Sequence, residues 1–226
     1  MREDKIMINI NKKRLIEKIS IYSFLILWTI SIIKIISSTI TFKTTLISGF
    51  LSIIVANFLS GLVHWTANTW GSIKIPIIGN YIKSFREHHV NPSEINQHDY
   101  IETNGDNCLV ALPLLLYVNI MEEKVFLVWL ATWIAITNQI HKWSHMNNAP
   151  NYIRFLQKNR MILSKRDHHQ HHIKPFDCNY CITTGWLNPI LTKIGFWRGL
   201  EKIITLITGY KPREDDIFWS TSIIIS

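Results

Sequence analysis

The amino-acid sequence predicts an all-α, multi-pass membrane protein of about four spans, two of them short or re-entrant, with a histidine-rich cytosolic cap. Hydrophobic residues make up 47% of the 226 residues and charged residues only 18%, against about 25% charged in a typical soluble domain. The apolar residues collect in long runs, which indicates membrane spans rather than one globular core. All ten histidines lie between His64 and His172.

The first span is predicted at residues 21–40, because twenty apolar residues in a helix cover about 30 Å, the thickness of the hydrocarbon layer. Lys34 lies within this run, and a lysine near a helix end can extend its amine to the interface. Residues 1–20 form a basic segment that the positive-inside rule places in the cytoplasm, and residues 21–226 form the membrane domain. The basic residues of that segment are Arg2, Lys5, Lys12, Lys13, Arg14 and Lys18.

A second span is predicted at residues 46–65, after a polar turn at Thr41–Thr45. Trp65 and Trp70 are placed like the aromatic anchors that mark a membrane interface. The following residues, 67–107, are polar and contain no segment long enough to cross. The chain is therefore expected to stay on one side of the membrane over this stretch.

The third and fourth apolar runs, residues 108–121 and 125–140, predict a second hairpin whose turn lies at residues 122–124. Both runs are shorter than the usual span of about twenty residues, and Pro113 lies inside the first, so the hairpin is short and tilted or re-entrant. Residues 186–207 mix tryptophan, leucine, isoleucine and phenylalanine with lysine and arginine. That composition predicts an amphipathic helix in the membrane interface.

Counting the crossings places every histidine at one membrane face, the same face as the basic N-terminal segment. His64 ends the second span, and no crossing follows it before residue 107. The hairpin then leaves this face and returns to it, so the histidines from His141 onward emerge on the same side. The conclusion holds whether the hairpin spans the membrane or only enters it.

The spacing of the histidines indicates metal binding. His141 and His145 are four residues apart, and His168, His171 and His172 follow an i, i+3, i+4 pattern, so each set is expected on one helical face. A single catalytic zinc takes three protein ligands, and eight or nine gathered histidines fit two metal ions better. Imidazole suits zinc, copper, iron and nickel, so the histidines alone do not name the metal.

His169 breaks the helical face made by its neighbours, and it is set aside as a ligand. Polar side chains near the other histidines are candidates to fix the imidazole tautomers by hydrogen bonding. These are Glu87, Asp99, Glu102, Asp106, Asn107, Asn138 and Asp167.

Several other kinds of site are excluded by inspection. The sequence has no H-E-x-x-H, no G-x-S-x-G and no glycine-rich phosphate loop. It has no E-x-x-H, which argues against a carboxylate-bridged di-iron helix bundle. The net charge is +8, but no basic block is typical of nucleic-acid binding. Cys178 and Cys181 form a lone C-x-x-C, which is weak support for zinc or redox chemistry, and we expect unpaired thiols.

With these motifs in place, the sequence resembles the plasmanylethanolamine desaturase and CarF-type lipid desaturase family. The resemblance covers roughly residues 60–216, and it has five histidine-bearing stretches in one order. The stretches that carry it are GLVHW at 61–65 with Trp70 and Gly71, FREHH at 85–89, HDYIETNGDN at 98–107, TNQIHKWSH at 137–145, H-x-x-H-H at 168–172, CITTGWLN at 181–188 and KPREDD at 211–216.

The resemblance implies a non-haem centre of two iron ions on the cytosolic face of a multi-span membrane domain. With O₂ as co-substrate and two electrons, such enzymes remove two hydrogens from a lipid chain. In the plasmanylethanolamine enzymes the chain is an alkyl ether, and the new double bond makes the vinyl ether of a plasmalogen. The ligand role carries over to His64, His88, His89, His98, His141, His145, His168, His171 and His172.

Two positions refine the resemblance. Animal members often have a histidine where Asp167 stands here, so Asp167 is an alternative ligand or a hydrogen-bond acceptor. The plant plastid branch lacks the His98–Asp99 pair, and the presence of this pair here favours the ether-lipid branch.

Basic residues near the site are candidates to bind the lipid phosphate, although the positive-inside rule alone would also place them there. These are Arg86, Lys142, Lys165 and Arg166.

Two alternatives stay open. A related membrane di-iron fatty-acyl desaturase or hydroxylase would share these motifs. A membrane metal carrier or sensor would also use histidines, but it would need ionisable residues inside the spans.

The expected partners are a membrane phospholipid and an electron donor such as cytochrome b5 or ferredoxin, with no nucleic acid. The expected location is a bacterial inner membrane, or the endoplasmic reticulum in a eukaryote.

Overall fold

The computed structural model describes residues 2–76, 78–121 and 124–213, and the described chain is helical without a β-strand. Over the described ranges, one 3₁₀ turn is present, at Glu94–Gln97. The turn predicted at residues 122–124 falls largely outside the described residues, as does the end of the KPREDD motif. The helices are α1 Arg2–Ser37, α2 Phe42–Thr69, α3 Ile78–Val90, α4 Tyr100–Ile120, α5 Val125–His145, α6 Asn151–Lys158, α7 Lys165–His171, α8 Asn188–Lys193 and α9 Phe196–Thr208.

Two of the described helices are long and apolar enough to cross a membrane. They are Asn11–Ser37, within α1, and Phe42–Thr69, which is α2, each with a mean hydropathy of 2.1. Many of their large apolar side chains are exposed, which is unfavourable in water and suits contact with lipid. Examples are Leu25, Ile26, Ile33 and Ile36 on α1 and Leu46, Ile47, Phe50 and Leu51 on α2.

The loop between these two helices is shorter than predicted. The polar residues Thr41–Thr45 were expected to form a turn, but α2 already begins at Phe42. The Thr41 hydroxyl oxygen accepts a hydrogen bond of 3.2 Å from the backbone N–H of Thr44, as an N-cap residue does. The prediction was wrong because a polar first turn of a helix was taken for a loop.

The second pair of helices is longer than the apolar runs that predicted it. Both α4 and α5 contain 21 residues, about 30 Å of helix. Helix α4 begins well before the apolar run because Asp99 caps it, accepting hydrogen bonds from the N–H groups of Ile101 and Glu102. Helix α5 continues through His141 and His145, which confirms the predicted helical pair.

Within the described residues, the chain divides into two compact units, residues 2–56 with 98–142 and residues 57–97 with 143–213. The boundaries fall inside α2 and α5.

The first unit is built around α1, α4 and α5. Gly105 allows α4 to approach α1 closely, since a Cβ added there would lie 2.5 Å from the Cβ of Glu17. The Lys34 amine donates to the carbonyl of Asn119 in the last turn of α4, where the helix dipole favours a cation. The buried apolar core consists of Ile21, Phe24, Cys108, Ala111, Leu115, Ala131 and Ala135.

The second unit packs the end of α2 against the C-terminal part of the chain. The single interfacial helix predicted at residues 186–207 is instead two helices, α8 and α9. They are separated at Gly195, whose φ of +64° is readily adopted only by glycine. The apolar side chains Ile190, Ile194, Ile203, Leu206 and Ile207 of these helices are exposed. The core consists of Trp65, Tyr180, Cys181, Leu191 and Trp197.

Candidate metal centre

Seven of the predicted ligands converge within the second unit, and they form two neighbouring groups. The ring nitrogens of each group lie within 4.8 Å of one another. The groups are adjacent, because His88 belongs to one and His89 to the other, and His171 and His172 are divided in the same way. The first group is His64, His89 and His171, and the second includes His88, His145, His168 and His172.

In the first group, His171 lies between the other two imidazoles. Its Nε2 atom is 3.1 Å from the Nε2 of His64 and 3.1 Å from the Nε2 of His89. His64 lies near the end of α2, His89 on α3 and His171 at the end of α7. His64 and His171 are both completely buried, with relative exposures of 0%. Three separate elements therefore supply one compact set of donor atoms, and two of the three rings are completely buried.

Backbone carbonyls fix the tautomers of two of these rings. The Nδ1–H of His64 donates to the carbonyl of Tyr180 at 3.2 Å, and the Nδ1–H of His171 donates to the carbonyl of Cys178 at 2.7 Å. In the neutral rings both Nε2 atoms are then unprotonated, and two lone pairs face each other across 3.1 Å. A metal ion resolves this repulsion, since ligands at bond lengths of about 2.1 Å lie roughly 3 Å apart. The donor set therefore fits a metal.

In the second group, the Nε2 atoms form a continuous chain of short contacts. Those of His88 and His145 are 2.9 Å apart, those of His145 and His168 are 2.7 Å apart, and those of His168 and His172 are 3.0 Å apart. His88 lies on α3, His145 at the end of α5 and His168 on α7, while His172 is the C-cap residue of α7. This convergence of four imidazoles suits a second metal ion.

Burial lowers the pKa of four of these rings. It lowers the pKa of His171 and that of His145 to about 4. Burial also lowers the pKa values of His89 and His172 well below the ordinary value, and neighbouring imidazoles lower them further. The neutral imidazole is the form that binds a metal, so these four rings are in their binding form at neutral pH.

The loop that carries the Tyr180 carbonyl is fixed by polar side chains of α2. Asn57, fully buried, accepts hydrogen bonds of 3.0 Å from the N–H groups of Thr184 and Gly185. The Ser60 hydroxyl accepts a 3.0 Å hydrogen bond from the N–H of Ile182. The helix that supplies His64 thus also holds the loop that orients it.

Asn68 is a site residue that the sequence reasoning missed. Its side-chain amide lies 2.8 Å from the Nε2 of His89 and 3.5 Å from the Nε2 of His171. The assignment of the amide oxygen and nitrogen is interchangeable, so in either orientation a polar atom faces the first group. Asn68 follows His64 by four residues on a largely apolar helix, and this i, i+4 polar pair was a signal that could have found it.

Two other predicted ligands lie in the first unit. His141 is buried on α5, one helical turn before His145. His98 is half-buried, and its Nε2 lies 3.7 Å from a carboxylate oxygen of Glu102. Their roles as ligands remain predictions.

The structure changes the geometry that was expected for the H-x-x-H-H stretch. The three histidines were expected on one helical face, but α7 ends at His171 and His172 caps it. His168 and His172 contribute to one group and His171 to the other. His169 is exposed.

Three of the seven polar side chains proposed to orient the imidazoles have other partners. Glu87 pairs with Lys83 at 3.3 Å, and Asp99 caps α4 and pairs with Arg14. Asn107 donates to the carbonyl of Ile134. Asp106 is exposed, and Asn138 and Asp167 are half-buried.

The basic side chains proposed to meet a lipid phosphate differ in their surroundings. Arg86 is buried and donates hydrogen bonds of 3.0 Å to the carbonyls of Trp70 and Gly71. Lys142 donates to the carbonyl of His98 and Lys165 to the side chain of Asn147. Arg166 is exposed.

The cysteines of the C-x-x-C are unpaired thiols, as expected. Burial raises the pKa of Cys181 to about 12, and burial raises that of Cys178 to a smaller extent. Both are therefore neutral thiols at physiological pH, the less reactive form.

Comparison with known proteins decides the family. A domain described as the lipid desaturase domain matches residues 53–215 of the chain. The chain belongs to the lipid desaturase family. This makes it an oxidoreductase, and the alternative of a metal carrier or sensor is not retained. The matched segment contains both histidine groups.

Among relatives of this desaturase-family chain, plasmanylethanolamine desaturase 1 of Mus musculus is 48% identical, over 75% of this chain and 68% of the relative. A plasmanylethanolamine desaturase of Myxococcus xanthus is 43% identical, over 74% of this chain and 63% of the relative. The chloroplastic fatty acid desaturase 4 of Arabidopsis thaliana is 29% identical, over 74% of this chain and 54% of the relative. No solved structure is significantly similar to the chain.

Proposed function

We propose that this protein is a membrane non-haem di-iron desaturase that forms the vinyl ether double bond of plasmalogens. Its substrate is a 1-O-alkyl (plasmanyl) ethanolamine phospholipid. This is the lipid class in the names of two relatives that are 48% and 43% identical to the chain. The observation that carries the proposal is the pair of adjacent imidazole groups, each suited to one metal ion.

The proposed ligands of one iron are His64, His89 and His171. The proposed ligands of the other are His88, His145, His168 and His172. We retain His141 as a further ligand because it lies one turn before His145 on the same helix. We retain His98 because of the family resemblance.

Bound iron, with O₂ and two electrons, supplies the oxidising power for an unactivated C–H bond, which side-chain acid–base chemistry lacks. The overall reaction removes two hydrogens from adjacent chain carbons and reduces O₂ to two waters with two electrons and two protons. The electrons come from a donor such as cytochrome b5 or ferredoxin.

The protein contributes positioning and the exclusion of water. The carbonyls of Tyr180 and Cys178 hold two imidazoles in the tautomer that presents Nε2. The rings of Phe85 and Phe176 lie 5.2 Å from the His64 ring and 4.9 Å from the His89 ring, measured between centroids. These apolar neighbours limit access of water to the ligands and protect a reactive centre from side reactions.

The proposed topology has four spans, with the metal centre on the cytosolic face. The basic residues before the first span support this orientation. A site at the ends of membrane helices lets a lipid chain enter from the bilayer while its headgroup stays at the interface. The proposed location is a bacterial inner membrane, or the endoplasmic reticulum in a eukaryotic cell.

The deciding experiment is expression of the chain in a host that lacks plasmalogens and is fed alkyl ether lipid, with and without oxygen. We expect acid-labile vinyl ether lipid that depends on oxygen, and about two irons per chain. Folded, iron-loaded protein that makes no vinyl ether lipid would contradict the proposal. A single tightly bound zinc per chain would contradict the proposed cofactor.

The plastid relative, a fatty acid desaturase by name, supports a second candidate. In that case the same iron centre would act on a fatty-acyl chain. Product analysis separates the candidates, because an acyl desaturase leaves the ether chain saturated. A hydroxylated lipid without a new double bond would identify a hydroxylase instead.

A further inference from the structure

Oxidisable aromatic rings form a continuous line that begins at the first histidine group. The Tyr180 ring lies 4.9 Å from the His171 ring, measured between centroids, and 5.3 Å from the Trp197 ring. The line continues from Trp197 to Trp65 at 5.6 Å and from Trp65 to Trp70 at 6.1 Å. All five residues belong to the second unit. Every neighbouring pair therefore lies within the range of direct contact between aromatic rings.

This aromatic line, Tyr180–Trp197–Trp65–Trp70, runs from the interior of the second unit to its surface. Tyr180, Trp197 and Trp65 are buried, with relative exposures of 3%, 2% and 2%. Trp70 is half-buried, and the next residue, Gly71, is exposed. Trp70 is therefore the end of the line that a small solute can reach.

The chemistry of the aromatic line determines the sense in which it can carry electrons. The rate of electron tunnelling falls exponentially with distance, so rings in contact exchange an electron far faster than distant groups do. Tryptophan and tyrosine side chains lose an electron to a strong oxidant, but they do not accept one from a biological electron donor. The line therefore suits the removal of oxidising equivalents from the histidine group. It does not suit delivery of the two electrons that a desaturation consumes.

A carboxylate meets the aromatic line at Trp65. The indole N–H of Trp65 donates a hydrogen bond of 3.2 Å to Glu201, and the other carboxylate oxygen of Glu201 lies 2.8 Å from the Arg198 guanidinium. Glu201 is buried, and burying a carboxylate is costly in a core that serves packing alone. An indole that has lost an electron is a much stronger acid than a neutral indole. Glu201 is therefore placed to accept the proton that an oxidised Trp65 releases.

The hydrogen bonds of the other two buried rings are different. Over the described part of the chain, the indole nitrogen of Trp197 has no hydrogen-bond partner. The hydroxyl of Tyr180 donates to the carbonyl of Phe176 at 2.8 Å, and an amide carbonyl is a weak base. Loss of an electron is therefore most favourable at Trp65, where a carboxylate takes the proton. Tyr180 and Trp197 are the path between Trp65 and the histidine group.

We propose that the aromatic line is a protective route that carries oxidising equivalents from the first metal position to the protein surface. When O₂ has oxidised the metal centre and no lipid chain is in place, Trp65 gives one electron to the centre through Trp197 and Tyr180. The indole proton of Trp65 moves to Glu201. A soluble one-electron reductant such as ascorbate then returns an electron to Trp65 through Trp70, and the proton moves back. The inference rests on the proposed function, since an iron centre that reacts with O₂ supplies the oxidant.

The first test detects the oxidised indole directly. Ferrous, iron-loaded protein without lipid is mixed with hydrogen peroxide, frozen within milliseconds and measured by electron paramagnetic resonance. We expect a tryptophan radical, identified by the change in its spectrum when indole-deuterated tryptophan is incorporated. The signal should be lost in Trp65→Phe and in Trp197→Phe at unchanged iron content. A wild type without this radical, or Trp197→Phe with the full signal, overturns the proposal.

Trp133→Phe is the matched control for these variants. Trp133 lies in the first unit, and over the described residues its indole nitrogen also has no hydrogen-bond partner. The substitution therefore removes the same group as Trp197→Phe without touching the aromatic line. We expect the radical to be retained in full, and its loss in Trp133→Phe would overturn the assignment of the route.

Glu201→Gln tests the proton transfer without changing a ring. Glutamine keeps an acceptor oxygen for the N–H of Trp65 but is not a base, so the radical should be lost at unchanged iron content. Glu94→Gln makes the same change at an exposed position outside the aromatic line and should retain the radical. An unchanged radical in Glu201→Gln would overturn the proposal that Glu201 accepts the proton.

The second test locates oxidative damage by peptide mass spectrometry after repeated additions of peroxide, with and without ascorbate. In the wild type we expect oxidation at Trp65 and Trp70, and ascorbate should suppress it. In Trp197→Phe oxidation should move to His171 and Tyr180, and iron should be lost several-fold faster. The same distribution of damage in both proteins would overturn the protective role.

This proposal and the proposed function can fail separately. A tryptophan radical in protein that forms no vinyl ether lipid would retain the route and reject the proposed reaction. Vinyl ether formation by a wild type that shows no tryptophan radical would retain the desaturase and reject the route.

Discussion

The Nε2 atoms of His64 and His171 lie 3.1 Å apart, although 107 residues separate them in the chain. Both rings direct Nδ1–H at a backbone carbonyl, so both present a lone pair to the same point. Such a pair is unfavourable without a cation between the two nitrogens, and it is the most direct structural indication of a metal.

Removal of one of these ligands should empty one metal position and spare the other. We expect His171→Ala to lower the iron content from about two per chain to about one, because the second group keeps its own imidazoles. Metal analysis of the purified protein checks this. His169→Ala is the matched control, since His169 is exposed and belongs to neither group. Two irons retained in His171→Ala would show that the first group does not hold a metal.

Removal of the metal should destabilise the fold around the histidines. Since binding free energy at such a site contributes to folding, chelation should lower Tm, and restoring ferrous iron should raise it again. Thermal unfolding in detergent measures the effect. In His171→Ala the shift should be smaller, because fewer ligand groups remain to couple metal binding to folding. An identical Tm with and without metal would contradict a structural coupling.

Asn68 should matter although it is not a histidine. Its amide lies beside the Nε2 donor atoms of His89 and His171 and would face the bound iron, so Asn68→Ala should weaken iron binding or activity about 10–100-fold, the usual cost of losing a polar group next to metal ligands. The iron affinity of the purified protein and the rate of double-bond formation both report on this. Asn159→Ala, at the exposed C-cap of α6, serves as the control and should leave both unchanged. Equal behaviour of the two variants would remove Asn68 from the site.

Asn57 should act through the loop that orients His64. Asn57→Ala leaves the N–H groups of Thr184 and Gly185 without their acceptor, a cost of about 2–4 kcal/mol for two buried donors. A lowered Tm measures this loss, and reduced iron occupancy would accompany it through the displaced Tyr180 carbonyl. Ser93→Ala removes an exposed hydroxyl hydrogen bond and is expected to have little effect. A stable Asn57→Ala protein would contradict the role given to the loop.

Gly61 allows α2 to approach the same loop. A Cβ at this position would lie 2.6 Å from the Sγ of Cys181, so Gly61→Ala should destabilise the protein by about 1–3 kcal/mol. Removing the sulfur relieves the contact, and Gly61→Ala should therefore cost less in a Cys181→Ala background. A double-mutant cycle of Tm values measures this coupling. Additive effects would show that the two atoms do not compete for space.

The agreement between sequence and structure is strongest where the signal is local. Long apolar runs predicted the first two long apolar helices, and the i, i+4 spacing predicted that His141 and His145 share a helix. The errors arose at element ends, where Thr41 and Asp99 cap helices with polar side chains that also occur in turns. Gly195 divides the predicted interfacial helix, and composition averaged over 22 residues does not reveal a single left-handed residue.

The sequence by itself determined the residue types of the centre: ten histidines in a restricted segment, their helical spacing and the family that carries them. Only the tertiary structure decided how they are partitioned. His88 and His89 are neighbours in sequence but join different groups, as do His171 and His172. The physical reason is that the packing of separate helices decides which imidazole Nε2 atoms come together. The orientation of the His171 and His64 rings depends on the carbonyls of Cys178 and Tyr180. Every residue has a backbone carbonyl, so no residue type in the sequence indicates which ones orient a ring.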